Sequence, residues 1–203
     1  MLIVLTSDTT VPNEAEILNT LFAEGLEILH LRKPDLDQDG YAELLKQVRP
    51  EYRNRIMIHQ YHDLVTEFGL RGAHLQEQPR YDLGEELEEY ISRFRESGYS
   101  VSSSYHSKEE VTENGHLFEY VLLSPVFGSI SKIGYEGKGF DVLDITEANV
   151  IGMGGINEET IPKTYALGFA GVAVLGGVWS RKNPVAAFRE LQSADQSVVK
   201  KSL

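Results

Sequence analysis

Short apolar runs recur along the whole chain and are separated by longer amphipathic stretches. Each run is almost continuously apolar, which is typical of parallel strands covered on both faces. The runs therefore predict eight buried β-strands. They are LIVLT (2–6), EILHL (27–31), RIMIH (55–59), GAHL (72–75), YSVSS (99–103), EYVLLS (119–124), VIGM (150–153) and GVAVL (171–175).

The stretches between the runs show the spacing of helices that bury one face, as in Val185 to Leu191. Strands that alternate with helices predict an α/β fold, here a small (β/α)₈ TIM barrel. We expect one domain over residues 1–193 and a loose tail over residues 194–203. The predicted helices span residues 13–24, 38–48, 60–68, 84–96, 107–114, 141–148, 157–167 and 183–193.

The composition narrows the classes of function. With 31 acidic and 19 basic residues the chain carries a net charge of −12, which opposes nonspecific binding to nucleic acid or to an anionic membrane. The absence of cysteine excludes disulfides and thiolate chemistry. No apolar run is long enough to span a membrane, and MLIVLTSD does not resemble a signal peptide, so we expect a cytoplasmic protein.

In a TIM barrel the chemistry belongs in the loops after the carboxyl ends of the strands. The sixth run is followed by Ser129, Ser131 and Lys132, which would place hydroxyl donors and a cation over the barrel mouth. Gly154-Gly155 and Gly176-Gly177 follow the seventh and eighth runs, where open backbone N–H groups favour a phosphate. The alternatives are a solvated loop and a pair of tight turns.

Several histidines lie at or near predicted strand ends, and histidine is the side chain best suited to proton transfer near neutral pH. His106, in SSSYHS after the fifth run, is the best placed acid/base candidate. His59, His62 and His74 could instead hold a metal ion, although no convincing carboxylate accompanies them.

The chain resembles the thiamine phosphate synthases and the related thiazole tautomerases over nearly its whole length. This resemblance implies a (β/α)₈ barrel in which Gly154, Gly155, Gly176 and Gly177 bind the phosphate of thiazole phosphate. The matching segments, in order, are EILHLRK, GAHLQE, VSSSYHSKEEV, EYVLLSPVFGSISK, IGMGGIN and GVAVLGGVW.

The departures from the family pattern concern the diphosphate half of the site. For a synthase the resemblance implies Mg²⁺ held by aspartates after strands three and four, but this chain has Gln60 and Pro79 at those places. Asp63 or Glu77 could substitute, with Mg²⁺ near Gln60. The expected Arg-x-Lys becomes Arg32-Lys33-Pro34.

The thiazole half of the pattern is retained, and SYHS with YEGKG (135–139) is similar to the tautomerase branch. The resemblance thus implies a metal-independent tautomerase without a cofactor, in which His106 moves a proton to aromatise a carboxythiazole phosphate. The alternatives are a Mg²⁺-dependent synthase that couples hydroxymethylpyrimidine diphosphate to thiazole phosphate, and a ligand-binding regulatory barrel without catalysis. Two copies could pair as a homodimer. The expected substrate contacts are His30, Arg32, Lys33, Ser104, Ser129, Ser131 and Lys132.

Overall fold

Eight parallel strands close into a barrel in chain order, and the last strand pairs with the first. The computed structural model describes residues 1–128 and 137–199. Each strand lies within two residues of its predicted ends, so the predicted TIM barrel is confirmed. The strands are β1 (Leu2–Leu5), β2 (Ile28–Leu31), β3 (Ile56–Ile58), β4 (Gly72–Leu75), β5 (Ser100–Tyr105), β6 (Tyr120–Leu123), β7 (Val150–Met153) and β8 (Gly171–Val174).

Helices connect the strands and cover the outside of the barrel. In the described ranges none of them is both long and apolar enough to cross a membrane. The helices are α1 (Glu14–Ala23), α2 (Gln38–Gln47), α3 (Pro50–Arg53), α4 (Leu64–Phe68), α5 (Glu77–Leu83), α6 (Leu87–Glu96), α7 (Lys108–Asn114), α8 (Ile161–Ala166), α9 (Gly176–Trp179) and α10 (Pro184–Val199).

Two connections differ from the prediction. Residues 141–148 form no helix, and Val142 instead donates its backbone N–H to the Leu167 carbonyl at 2.9 Å. Helix α5 forms although the sequence does not predict it. Pro79 is its third residue, and a proline is tolerated in the first turn because no intrahelical bond is made there by the backbone nitrogen.

The chain after residue 193 continues α10 to Val199, so a loose tail from residue 194 is wrong for that part. Ala194 and Val198 pack against the main hydrophobic core. Asp195 is buried, and its carboxylate accepts a hydrogen bond from the Tyr165 hydroxyl at 2.5 Å. Because this side of α10 has both apolar and polar partners, the helix extends beyond the residue at which its sequence pattern ends.

The interior of the barrel has an apolar part and a polar part. Ile3, Met57 and Ile151 belong to the apolar cluster that fills the interior. His30, His74 and Ser102 are buried alongside it and bring hydrogen-bonding groups into the interior. These polar groups lie on β2, β4 and β5, whose carboxyl ends open onto the candidate site.

Candidate functional site

A cavity of about 580 Å³ opens at the carboxyl ends of the strands. This is the end at which TIM barrels carry their functional sites. Loops and strand ends all around the barrel contribute to its lining. The polar and glycine residues that line it are Asp8, Arg32, His59, Gln76, Glu77, Gln78, Ser104, His106, Ser124, Gly154, Gly155, Gly176 and Gly177.

Four glycines, here called the four-glycine site, lie together on the lining of this cavity: Gly154, Gly155, Gly176 and Gly177. Gly154 and Gly155 have φ of 97° and 66°, which only glycine adopts readily. Gly176 and Gly177 begin α9, where the first backbone N–H groups have no partner within the helix. The structure therefore brings the four predicted glycines together in an arrangement suited to a phosphate.

Gly155→Ala is expected to weaken binding of inorganic phosphate about tenfold, the value of one hydrogen bond to a charged group. A Cβ at Gly155 would lie 2.4 Å from the Gly128 carbonyl oxygen and would displace the loop. Gly69→Ala is the matched control, since Gly69 has φ of 62° but open space around a new Cβ. Titration calorimetry with phosphate measures both variants, and equal affinities would contradict a phosphate role for Gly155.

His106 follows β5 and lines the cavity. Its Nδ1 lies 2.9 Å from the Ser124 carbonyl oxygen, which can only accept a hydrogen bond. The neutral ring therefore carries its proton on Nδ1 and keeps the lone pair on Nε2, as a general base requires. Lys138 donates to the His106 carbonyl oxygen at 2.8 Å and holds the backbone of this residue.

Ser104 also lines the cavity, and its hydroxyl contacts His74 Nε2 at 2.7 Å. The other nitrogen of His74 contacts the Ser102 hydroxyl at 2.8 Å. Burial holds the pKa of His74 well below its ordinary value, with neighbouring histidines adding to the effect. His74 is thus a neutral support for Ser104, and the predicted position of Ser104 at the site is observed.

His30 lies beneath the cavity rather than on its lining. It is fully buried, with Nδ1 at 3.0 Å from His59 Nε2 and Nε2 at 2.6 Å from the Tyr120 hydroxyl. Burial, with a smaller contribution from the charge of Arg71, lowers the pKa of His30 to about 3. This position does not support the predicted direct contact of His30 with substrate.

His30, His59 and His74 form a group whose nitrogen atoms lie within 4.8 Å of one another. His62 is not part of this group, and its Nδ1 pairs with the Tyr90 hydroxyl at 2.5 Å. Both nitrogens of His30 and of His74 already have hydrogen-bond partners. The arrangement is that of a hydrogen-bonded network, and the predicted metal set of His59, His62 and His74 is not the one that the fold assembles.

Arg32 lines the cavity as predicted, but it forms an ion pair with Asp8 there. Asp8 follows β1 in the segment SDTT, and its place after a strand end was the only sequence signal for it. Lys33 does not contribute to the lining. It is 3% exposed, pairs with Glu14 at 2.5 Å and donates to the Thr9 carbonyl oxygen at 2.8 Å. Its predicted role in substrate binding is not supported by this position.

The positions implied for Mg²⁺ do not present a suitable set of oxygens. The Gln60 side-chain oxygen accepts a hydrogen bond from Tyr41 at 3.0 Å, and neither Gln60 nor Asp63 is among the cavity-lining residues. Pro79 does line the cavity but has no ligand atom in its side chain. Glu77 remains as a single carboxylate on that side. Mg²⁺ is commonly held by one or two carboxylates together with substrate phosphates, and the two implied positions retain neither aspartate, so these positions do not fit it.

The predicted contacts Ser129, Ser131 and Lys132 lie outside the described residues. The segment resumes at Gly137, and Lys138 donates its backbone N–H to the Pro125 carbonyl oxygen at 3.0 Å. This hydrogen bond therefore joins two described parts of the connection between β6 and β7.

Comparison with known proteins gives a consistent family. Residues 1–178 match the family model described as thiamine monophosphate synthase. A thiamine-phosphate synthase from Photorhabdus laumondii is 24% identical over 176 residues, 82% of this chain and 79% of the relative. The crystal structure of a thiamine phosphate pyrophosphorylase from Bacteroides thetaiotaomicron is similar with a TM-score of 0.73 and 30% identity, covering 96% of this chain and 97% of that one. A thiamine phosphate pyrophosphorylase from Pyrococcus furiosus shares the fold, with a TM-score of 0.76, 20% identity and coverage of 97% and 96%.

Proposed function

The chain belongs to the thiamine monophosphate synthase family, and from this premise we propose that it is a metal-independent tautomerase that aromatises a carboxythiazole phosphate. The observation that carries the proposal is that one half of the cavity keeps the residues of the family pattern and the other half does not. The four-glycine site and His106 are in place on one side. On the other side the expected Mg²⁺ positions hold Gln60, which is bonded to Tyr41, and Pro79.

In this proposal the four-glycine site binds the substrate phosphate, and His106 performs the proton transfer. The Nε2 lone pair takes a proton from a ring carbon, and the electrons of that C–H bond enter the ring as it becomes aromatic. The same nitrogen then returns the proton to the carbon on which negative charge has developed, so that no proton is gained or lost overall. The bond from Nδ1 to the Ser124 carbonyl fixes the ring in orientation during both steps.

Arg32 and Ser104 are proposed to contact the substrate on the side facing β2 and β5. The ion pair with Asp8 reduces the net positive charge that Arg32 offers. A diphosphate would therefore find a weaker attraction here than at an unpaired arginine, whereas a single carboxylate or phosphate requires less charge.

A second candidate function is thiamine-phosphate synthesis, which the names of the relatives favour. It requires Mg²⁺ for the diphosphate, and Glu77 is the cavity-lining carboxylate nearest in sequence to the expected ligand. Gln60 and Pro79 do not supply the carboxylates that the family pattern implies beside it, which is why the tautomerase is proposed first.

Removal of metal separates the two functions. We expect aromatisation of carboxythiazole phosphate to proceed equally with Mg²⁺ and with excess EDTA, because His106 needs no metal for proton transfer. The assay follows aromatisation and thiamine phosphate separately, in the presence of hydroxymethylpyrimidine diphosphate. Thiamine phosphate formed only with Mg²⁺ would establish the synthase instead. Tight binding without either product would indicate a regulatory barrel.

A further inference from the structure

The Nδ1 atom of His59 has no hydrogen-bond partner among the described residues. His59 is 4% exposed, and it is one of the residues that line the cavity. A polar atom buried without a partner is destabilising, and of the described residues with such a side-chain atom His59 is the one on the cavity lining, which makes it the candidate to bind a ligand group. The mechanism proposed for His106 makes no use of it.

A chain of buried groups supports His59 from behind. His59 Nε2 lies 3.0 Å from His30 Nδ1, and His30 Nε2 lies 2.6 Å from the Tyr120 hydroxyl. The His74 ring packs on the His59 ring with centroids 4.2 Å apart. Burial keeps His30 and His59 neutral by lowering the pKa of each. Each neutral ring is then a donor at one nitrogen and an acceptor at the other.

These hydrogen bonds determine which nitrogen carries the proton on His30 and on His59. Burial raises the pKa of Tyr120, so the phenol keeps its proton, and its hydrogen-bond partner at 2.6 Å is His30 Nε2. The phenol proton is thereby directed to His30 Nε2. His30 must then donate from Nδ1 to His59 Nε2, and His59 in turn carries its proton on Nδ1. The buried chain fixes the unpartnered atom of His59 as an N–H donor.

We infer that His59 is a neutral N–H donor for a carboxylate of the substrate, with His30 and Tyr120 as positioning residues that set its tautomer. A carboxylate is the ligand of choice because it only accepts hydrogen bonds and gains most from a donor in a site shielded from water. In this role His59 donates a hydrogen bond and transfers no proton. The inference rests on the proposed function for the identity of the carboxylated ligand, but the tautomer can be measured without it.

The tautomer is measured on the free protein by NMR with ¹⁵N-labelled histidine near neutral pH. We expect His30 and His59 both to be neutral and protonated on Nδ1. Tyr120→Phe should remove this preference at both rings. Tyr105→Phe is the matched control, because Tyr105 is equally buried but its hydroxyl has no hydrogen-bond partner in the part of the chain that the structure describes, and it should leave both rings unchanged. A proton on Nε2 of His59 in the natural chain would overturn the inference. So would coordination of added Zn²⁺ by His30, His59 and His74.

The carboxylate is tested by calorimetry with two ligands, carboxythiazole phosphate and thiazole phosphate lacking the carboxylate. We expect His59→Phe to weaken the carboxylated ligand about tenfold and to leave the other unchanged. Tyr120→Phe should show the same selectivity with a smaller loss. Equal losses for both ligands would mean that His59 only supports the fold and would overturn the inference. If neither ligand bound the natural protein, the proposed function would fail. The tautomer measurement would still decide whether His30 and Tyr120 set the tautomer of His59.

Discussion

His106→Ala is expected to lower the rate of aromatisation about 100- to 10,000-fold, the usual contribution of a general acid/base. The Nδ1 bond to Ser124 leaves only Nε2 free to exchange a proton with a substrate in the cavity. The four-glycine site is untouched by this change, so we expect inorganic phosphate to bind the variant and the natural chain equally. Stopped-flow or steady-state absorbance gives the rate, and calorimetry gives the phosphate affinity.

His116→Ala provides the matched control for this loss. His116 is exposed on the turn before β6 and does not line the cavity. Its removal should leave both rate and affinity unchanged. Added imidazole should restore part of the rate to His106→Ala, since it can enter the space left by the side chain. An unchanged rate in His106→Ala would exclude the proposed proton transfer.

The strands could be predicted closely from the sequence because each is a short apolar run bounded by polar residues, as in EYVLLS for β6. The order of the barrel follows from alternation with helices. Helix α5 was harder to predict because Pro79 is a helix breaker everywhere except in the first turn, and the sequence alone does not show where that turn begins. The end of α10 depended on packing against distant parts of the chain, which no local pattern contains.

The candidate site was predictable to the extent that strand ends determine it. The four glycines, Ser104 and His106 all reach the cavity for this reason. Whether a polar side chain faces the cavity or another residue could not be predicted in the same way. Lys33 pairs with Glu14, which lies one strand earlier in the chain, and this contact depends on the arrangement of two neighbouring connections.

The histidines show a second limit of the sequence. Alternation places His30 and Arg32 on the same side of β2, yet Arg32 reaches the cavity and His30 is buried below it. Depth in the barrel depends on strand tilt and on the stagger between neighbours, which the residue pattern does not report. The contacts of His30 with His59 and Tyr120 are therefore visible only in the fold.

These buried histidines are expected to make the protein unstable in mild acid. Burial lowers the pKa of His30 from its ordinary value of 6.5 to about 3, and it lowers the pKa of His59 and of His74 well below that ordinary value. Below pH 6.5 these histidines bind protons in the unfolded chain but stay neutral in the folded chain. Their contribution to stability is therefore present above this pH and is lost as the pH falls from 6.5 towards 3. Glu14 opposes the trend, since burial raises its pKa, but it is a single group.

The expected size of the effect follows from the number of protons taken up on unfolding. His30, whose pKa is about 3 in the folded chain, lowers the free energy of unfolding by about 1.4 kcal/mol per pH unit between pH 6 and pH 4, and the lowered pKa values of His59, His62 and His74 add to this slope. Urea unfolding followed by circular dichroism at several pH values measures this slope. His59→Phe should reduce this slope, because one group that binds a proton on unfolding is removed, whereas His116→Ala should leave it unchanged. Because a domain of this kind is typically stable by only about 5–15 kcal/mol, a loss on the order of a few kcal/mol is a large part of that stability. A flat stability profile over this range would show that the histidines bind protons in the folded chain as readily as in the unfolded chain, and the expected effect of burial on their pKa values would be wrong.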